Sequence, residues 1–467
     1  MPREIRLLNT LTRQLEPLRP LEPGHVRMYT CGPTVYNFVH IGNLRTFLFE
    51  DVLRRTLSAF GFRVTQVMNL TDIDDKTIRG AAAEGVGLRE FTDRYVEAFF
   101  ADIDALGVQR AEHYPRATEF IPQQVALVQR LAQRGHTYEQ DGSTYFRIAT
   151  FPGYGKLSGL DIDQVKAGAR VDSDEYEKED VRDFVLWKAA KPGEPAWETA
   201  LGPGRPGWHL ECSAMGMTLL GESFDIHTGA VDNIFPHHEN EIAQSEAATG
   251  RPFVHTWLHA EHLIVEGQKM AKSAGNFFTL RDLLERGHDP LAIRYLLISV
   301  PYRQKLNFTF DGLHAAAAGV DRIANTQRRL GQAPPAAGTG TLTPGGVDEL
   351  MEEFDAGLAD DLNTARALAA VHTLLTKVNQ ALDGGGIDAD TRSRLGVAFA
   401  RVDAVLGIVP KPASTGADAE IDALVAERDA ARATRDFARA DAIRRALTDR
   451  AIVLEDTPRG TVWRRAR

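Results

Sequence analysis

Residues 28–45 constrain the fold more than any other stretch of the chain. An apolar run (Val26, Met28, Tyr29) gives way to Cys31-Gly32-Pro33, which cannot continue a strand. Leu44, Phe47, Leu48, Val52 and Leu57 then recur at helical spacing, which predicts a helix beginning near Gly42. A strand, a glycine-bearing loop and a helix N-terminus present free N–H groups and the positive end of a helix dipole to an anion, an arrangement that collects phosphates. His40 and Asn43 stand at that terminus with donor side chains, and Gly42 lets a nucleotide approach the backbone. A histidine before a helix is more often a local structural residue, so the rest of the chain must decide.

At 467 residues the chain exceeds one hydrophobic core, and two large units with smaller ones are expected. Residues 1–20 carry Arg3, Arg6, Arg13 and Arg19 without the apolar run of a signal peptide, and no stretch reads as a membrane span. A cytoplasmic protein is therefore expected. Two cysteines, Cys31 and Cys212, argue against a disulfide framework. A net charge of −10 does not suggest a general nucleic-acid binder. Residues 420–467, however, hold 11 Arg, no Lys and 9 acidic residues, so this end is positive while the remainder is acidic. Arginine's planar fork suits phosphates and base edges; a solvated helix pair laced with ion pairs would carry the same charges.

Residues 62–70 read as a second strand that completes a βαβ start. Thr71-Asp72-Ile73-Asp74-Asp75-Lys76 follows at its carboxyl end, where open parallel sheets bind ligands. Amphipathic helices are predicted over 88–106 and 118–134, a strand over 145–148 in an inserted module, and a solvated loop over the charge run 172–180. The sheet pattern reads as resuming at 184–188 and continuing past 207–212. Residues 224–230 form a strand running into a small-residue loop, and Pro236 takes the N1 position of the next helix. A lysine-bearing loop (268–276), helices to about Leu330, a linker (332–346), helix throughout 350–406, a second linker (410–416) and the Arg-rich end complete the chain.

His237 and Glu241 are four residues apart on a predicted helix and so project from one face. With Cys31 and Cys212 they could supply a sulfur–sulfur–nitrogen–oxygen tetrahedral set suited to zinc. Two buried apolar cysteines beside a surface His–Glu pair is the competing reading. A metalloprotease helix is excluded, because Ile242 stands four residues after His238 where a second histidine is required. Lys269 and Lys272, in a loop flanked by Gly267 and Gly275, could hold a polyphosphate and neutralise leaving pyrophosphate, or be merely exposed.

Taken together these stretches are recognisable. His40-Ile41-Gly42-Asn43 resembles the HIGH signature, and Lys269-Met270-Ala271-Lys272-Ser273 the KMSKS signature, of class I aminoacyl-tRNA synthetases. Tyr29-Thr30-Cys31-Gly32-Pro33-Thr34-Val35-Tyr36 and the 71–76 motif resemble the cysteinyl-tRNA synthetase family in particular. So do Gly207-Trp208-His209-Leu210-Glu211-Cys212-Ser213-Ala214-Met215, Phe235-Pro236-His237-His238-Glu239-Asn240-Glu241 and Gly460-Thr461-Val462-Trp463-Arg464-Arg465. The resemblance covers nearly the whole chain.

It implies ATP-dependent ligation of L-cysteine to tRNA(Cys) through cysteinyl-adenylate, with pyrophosphate and AMP released. It also implies one Zn²⁺ per chain on Cys31, Cys212, His237 and Glu241, selecting cysteine over serine through its thiolate, and Mg²⁺ with the ATP. By the same resemblance His40, Asn43, Lys269 and Lys272 handle the triphosphate; Thr71, Trp208, His227 and His238 line the cysteine pocket; and Arg432, Phe437, Asp441 and Asp456 meet the anticodon. The fold class is α/β: a Rossmann-type parallel-sheet catalytic domain (1–105 and 184–266) split by a connective module (106–183). A signature-loop and stem-contact region (267–331), a helical bundle (347–409) and an anticodon-binding domain (417–467) follow. The inserted module is too short for an obvious editing domain, and a monomer without membrane contact is expected. Asn43, Ala271 and the run Thr228-Gly229-Ala230, where the family has three glycines, depart from the pattern. Two rivals remain: the cysteine:amino-sugar ligases of mycothiol synthesis and a non-catalytic RNA-regulatory protein. Residues 417–467 oppose the first; His40, Lys269, Lys272 and the complete zinc set oppose the second.

Overall fold

A computed structural model describes residues 3–160, 182–336, 341–411, 419–450, 452–457 and 460–465. The charge run 172–180 lies outside the described residues, as do 337–340 and 412–416 of the two linkers and the side chains of Lys272 and Asp456.

A hairpin of β1 (Arg6–Asn9) and β2 (Gln14–Pro17) precedes β3 (His25–Thr30), whose Val26, Met28 and Tyr29 are fully buried. Helix α1 (Ile41–Ala59) starts as the spacing predicts. Its capping box is made by the signature itself: His40 Nδ1 accepts from the Asn43 N–H, and Asn43 Oδ1 accepts from the His40 N–H, both at 3.2 Å. The chain returns in β4 (Arg63–Met68), parallel to β3 from His25↔Arg63 to Thr30↔Met68. Helices α2 (Asp75–Glu84), α3 (Leu88–Ala105) and α4 (Ile121–Gln133) follow.

The inserted module is a four-stranded antiparallel sheet of β5 (Thr137–Gln140), β6 (Ser143–Phe146), β7 (Phe184–Ala189) and β8 (Gly204–Pro206). This corrects the reading that the catalytic sheet resumes at 184–188. Phe184, Val185, Leu186 and Trp187 are all buried, and such a run reads alike in a parallel core strand and a covered antiparallel one.

Helix α5 (Trp208–Leu220) leads into β9 (Phe224–Ala230), and α6 (Glu239–Thr249) into β10 (Val254–Ala260). The parallel sheet has the order β4-β3-β9-β10, so the winding reverses between β3 and β9 and opens a crevice at their carboxyl ends. The Pro236 expectation also needs correction. A five-residue turn over Ile234–His238, with a cis Phe235–Pro236 bond, precedes α6, so Pro236 is not at its N1 position.

Strands β11 (Leu263–Val265) and β12 (Gln268–Lys269) form the hairpin that carries the first lysine. After α7 (Leu280–Glu285) and α8 (Pro290–Ile298), β13 (Leu306–Phe308) pairs with β11 and leads into α9 (Phe310–Gln332). The stretch read as helical throughout is three helices, α10 (Pro344–Ala359), α11 (Thr364–Asp383) and α12 (Ala389–Leu406), broken at 360–363 and 384–388. The Arg-rich end folds as α13 (Ala419–Ala433), α14 (Phe437–Asp449) and a hairpin of β14 (Ile452–Thr457) and β15 (Gly460–Arg465).

Two buried guanidiniums fix α1. Arg45 donates to the carbonyls of Glu261 (2.5 Å), His262 (2.9 Å), Pro301 (3.4 Å) and Gln304, tying the start of α1 to the loops that enter β11 and β13. Burial lowers its pKa to about 10, so it remains charged at neutral pH. Arg294 on α8, fully buried, donates to Asp51 of α1 (2.5 Å) and to the carbonyls of Leu406 (2.6 Å) and Leu106 (3.0 Å). The carboxyl end of α12 is thereby joined to the helix that carries His40 and Asn43.

Candidate active site

The crevice gathers the predicted donors. Cys31 follows β3, Cys212 lies on α5, and His237 and Glu241 flank the start of α6; one ligand atom from each lies within 4.8 Å of all the others. A second set, Cys31, His227, His238 and Glu241, overlaps the first. Hydrogen bonds tie the histidines of the second set to their neighbours. His238 Nε2 lies 3.1 Å from Cys31 Sγ and its Nδ1 2.8 Å from His259 Nε2. His227 Nε2 lies 3.0 Å from Glu241 Oε2 and its Nδ1 3.2 Å from Thr228 O. Both nitrogens of each ring are engaged, so these two rings are held in fixed orientations.

In the first set Glu241 Oε1 is buried without a hydrogen bond, although His237 Nε2 is 3.0 Å away, and His209 Nδ1 steadies His237 Nδ1 at 2.9 Å. Burial pushes the Glu241 carboxyl up, but His227 and His237 outweigh it and hold it at about 2. Burial lowers His237, yet Glu241 and Cys212 raise it to about 10. Hydrogen bonding between the two thiols lowers Cys212 and raises Cys31. Two sulfurs, one imidazole and a bare carboxylate oxygen are a donor set that fits a tetrahedral borderline-soft cation.

Trp208 stacks on His237 (ring centroids 4.3 Å apart, 23° between planes). Buried Thr71 donates to Glu211 Oε2 (3.0 Å) and accepts from Asn69 Nδ2 (3.1 Å), and Asn69 Oδ1 takes the Gly32 N–H (2.8 Å). The glycine departures are absorbed locally. Thr228 Oγ1 donates to Glu50 Oε1 (2.7 Å), whose carboxyl burial raises to about 8, and the Ala230 N–H donates to Asn233 Oδ1 (3.1 Å). The retained Gly229 has no such room: a Cβ there would lie 2.9 Å from His238 Cε1 and 3.2 Å from Asn233 Oδ1.

The second lysine signature sits against α1. The Ile41 N–H donates to Phe278 O (3.0 Å), His40 meets the Phe277 ring edge-on (5.2 Å), and the Met270 methyl would be 3.3 Å from a Cβ at Gly42. Asn276 closes the loop by accepting from the Ala271 N–H (2.8 Å) and donating to Lys269 O (3.2 Å), so Ala271 takes part through its backbone. Because His40 Nδ1 accepts, its ring proton is on Nε2. Lys269 and Asn43 are exposed. At the Arg-rich end, Arg432, Phe437 (62% exposed) and Asp441 are exposed around the α13–α14 turn, while Asp456 lies on β14.

Residues 17–318 match the model of the class I (C) tRNA synthetase catalytic domain, 353–410 the DALR domain, and 414–464 the cysteinyl-tRNA ligase anticodon-binding domain. The cysteine–tRNA ligase of Solibacter usitatus is 52% identical over 99% of each chain, and that of Leptospira interrogans 49% identical over 99% of each. The chain belongs to the cysteine–tRNA ligase family. Its fold is that of the class I synthetases. A Mycobacterium tuberculosis methionyl-tRNA synthetase in complex with methionyl-adenylate superimposes with a TM-score of 0.60 at 15% identity, covering 82% of this chain and 92% of that one.

Glu211, Glu50, His209, His259 and Arg45 were not singled out from sequence. Glu211 carried a usable signal: it is an acid inside the otherwise apolar run of α5. The others are single polar residues whose partners are distant in sequence. Among the described residues, no helix is long and apolar enough to cross a membrane.

Proposed function

We propose that the chain joins L-cysteine to ATP as cysteinyl-adenylate, releasing pyrophosphate, and then transfers the acyl group to the terminal adenosine of tRNA(Cys), releasing AMP. The convergence of Cys31, Cys212, His237 and Glu241 beside the signature helix carries this reading. These four would hold one zinc ion per chain, and Mg²⁺ would accompany the ATP. Bound there, zinc supplies a borderline-soft centre that favours a substrate thiolate over serine's hydroxyl. Each tenfold of discrimination needs about 1.4 kcal/mol, and an apolar pocket judging sulfur against oxygen supplies little of it.

No protein nucleophile is required, since the substrate carboxylate attacks the α-phosphorus and the chain positions it. His40, through Nε2–H, and Asn43 bind the triphosphate; Lys269 and Lys272 neutralise charge growing on the leaving pyrophosphate. Trp208 and Thr71 wall the amino-acid pocket, and His227 and His238 hold its floor in register with Cys31 and Glu241. The insert that runs from 106 through β8 would serve as the connective module, 267–331 as the stem-contact region and 347–409 as a bundle that braces the tRNA. Residues 417–467 read the anticodon through Arg432, Phe437, Asp441 and Asp456, with the exposed Phe437 ring stacking on a base. The chain acts as a cytoplasmic monomer.

ATP–pyrophosphate exchange with each amino acid, followed by charging of a tRNA(Cys) transcript, tests the reading. Exchange with cysteine alone and charging of that tRNA are expected. Absence of cysteine-dependent exchange, or stronger exchange with another amino acid, overturns it.

A further inference from the structure

Glu211 is a fully buried acid on α5, and its two carboxyl oxygens are treated differently. Oε2 accepts from Thr71 at 3.0 Å, whereas Oε1 is shielded from solvent and makes no hydrogen bond. A buried polar atom left without a partner costs about 1–3 kcal/mol, so the arrangement is explained most simply by a ligand that completes it.

The surroundings indicate which ligand. Trp208 lies three residues before Glu211 on α5 and Cys212 directly after it; Thr71 ties the carboxyl through Asn69 to Gly32, next to Cys31. Glu211 is thus joined on both sides to the strand ends and helix that supply the sulfurs. A cysteine whose sulfur enters the donor set has its ammonium only two carbons away, so the ammonium needs an acid close to that set.

Other nearby acids are committed. Glu241 belongs to the set, Asp72 accepts from the Thr118 N–H (3.0 Å) and Oγ1 (2.7 Å), and Asp74 caps α2. Glu50 also keeps a bare oxygen, but its hydrogen bond runs from α1 to Thr228 on β9 and not to Thr71 or α5.

We propose that Glu211 is a specificity residue for the α-ammonium of the substrate, its bare Oε1 receiving the ammonium while Thr71 orients the carboxyl. The proposal rests on the cysteine reading given above. It is tested by calorimetric binding of L-cysteine and of 3-mercaptopropionate, which keeps the thiol and carboxylate but lacks the amino group, to the zinc-loaded enzyme. Glu211→Gln should weaken cysteine about 30-fold or more while leaving 3-mercaptopropionate little changed and zinc content intact. Glu50→Gln should not open that gap. Equal loss of both ligands, no loss of either, or a gap opened by Glu50→Gln instead overturns the proposal. Should Glu211→Gln fail to fold or to hold zinc, the wild-type enzyme still decides. Cysteamine, which keeps thiol and ammonium, must bind it more tightly than 3-mercaptopropionate, and the reverse order overturns the proposal. A wild-type enzyme that binds no cysteine overturns the underlying reading instead.

Discussion

Gly229→Ala should damage both stability and activity, whereas Ala230→Gly, one residue away, should do little. The added methyl would lie 2.9 Å from His238 Cε1, closer than real Cβ contacts come, and 3.2 Å from His238 Nε2 and Asn233 Oδ1, tighter than most such contacts. The ring cannot easily yield, because its nitrogens are held by Cys31 (3.1 Å) and His259 (2.8 Å) and it packs against the rings of His227 and Trp257 at 4.4 and 5.1 Å. Overpacking of this kind costs about 1–3 kcal/mol, and the rigid surroundings place Gly229→Ala near the upper end. Ala230→Gly costs only chain entropy, about 0.5–1 kcal/mol. Thr228→Gly falls between, since it leaves Glu50 with neither buried oxygen partnered, at about 1–3 kcal/mol. Urea unfolding followed by tryptophan fluorescence ranks the three, and cysteine-dependent exchange should collapse only where His238 is displaced. A Gly229→Ala protein as stable and active as Ala230→Gly would refute the packing argument.

Other consequences are open to test. Arg294→Met should cost about 3 kcal/mol, because it strips a buried donor from Asp51 and two carbonyls, and replacing Asp51 as well should recover part of the loss in the same urea assay. Burial raises the Asp102 carboxyl to about 6, above its unfolded value near 3.9, with Arg281 only partly opposing. The folded state therefore holds the extra proton, and stability falls as pH rises from about 4 through 6; Asp102→Asn should stabilise the protein at pH 7.5, by roughly half as much at pH 5. Arg432→Ala and Phe437→Ala should raise KM for tRNA(Cys) in charging assays without altering pyrophosphate exchange.

The βαβ start, β3–α1–β4, was legible because it depends on local pattern: an apolar strand, a glycine loop and an i,i+3/i+4 stripe. Residue chemistry made Cys31, Cys212, His237 and Glu241 a candidate metal set but left the reading of two buried cysteines beside a His–Glu pair open, and the family resemblance chose between them. What local pattern could not give was sheet membership. Phe184–Ala189 is as apolar as β9 but pairs within the insert, and only register decides that. Nor could spacing reveal that His40 and Asn43 cap their own helix, which fixes the tautomer of the His40 ring. Glu50, Glu211, Arg45 and Arg294 escaped notice because their partners lie far away in sequence, from 112 to 259 residues in the contacts of Glu211, Glu50, Arg294 and Arg45. Contacts of that kind arise from topology.

The most direct test of metal-based selection is pyrophosphate exchange with cysteine and with serine, before and after zinc removal, with metal content measured alongside. The purified protein should carry one zinc per chain, exchange strongly with cysteine and not with serine, lose exchange on chelation and regain it when zinc is restored. Exchange with cysteine that persists after verified removal of zinc would contradict the assignment of selection to Cys31, Cys212, His237 and Glu241.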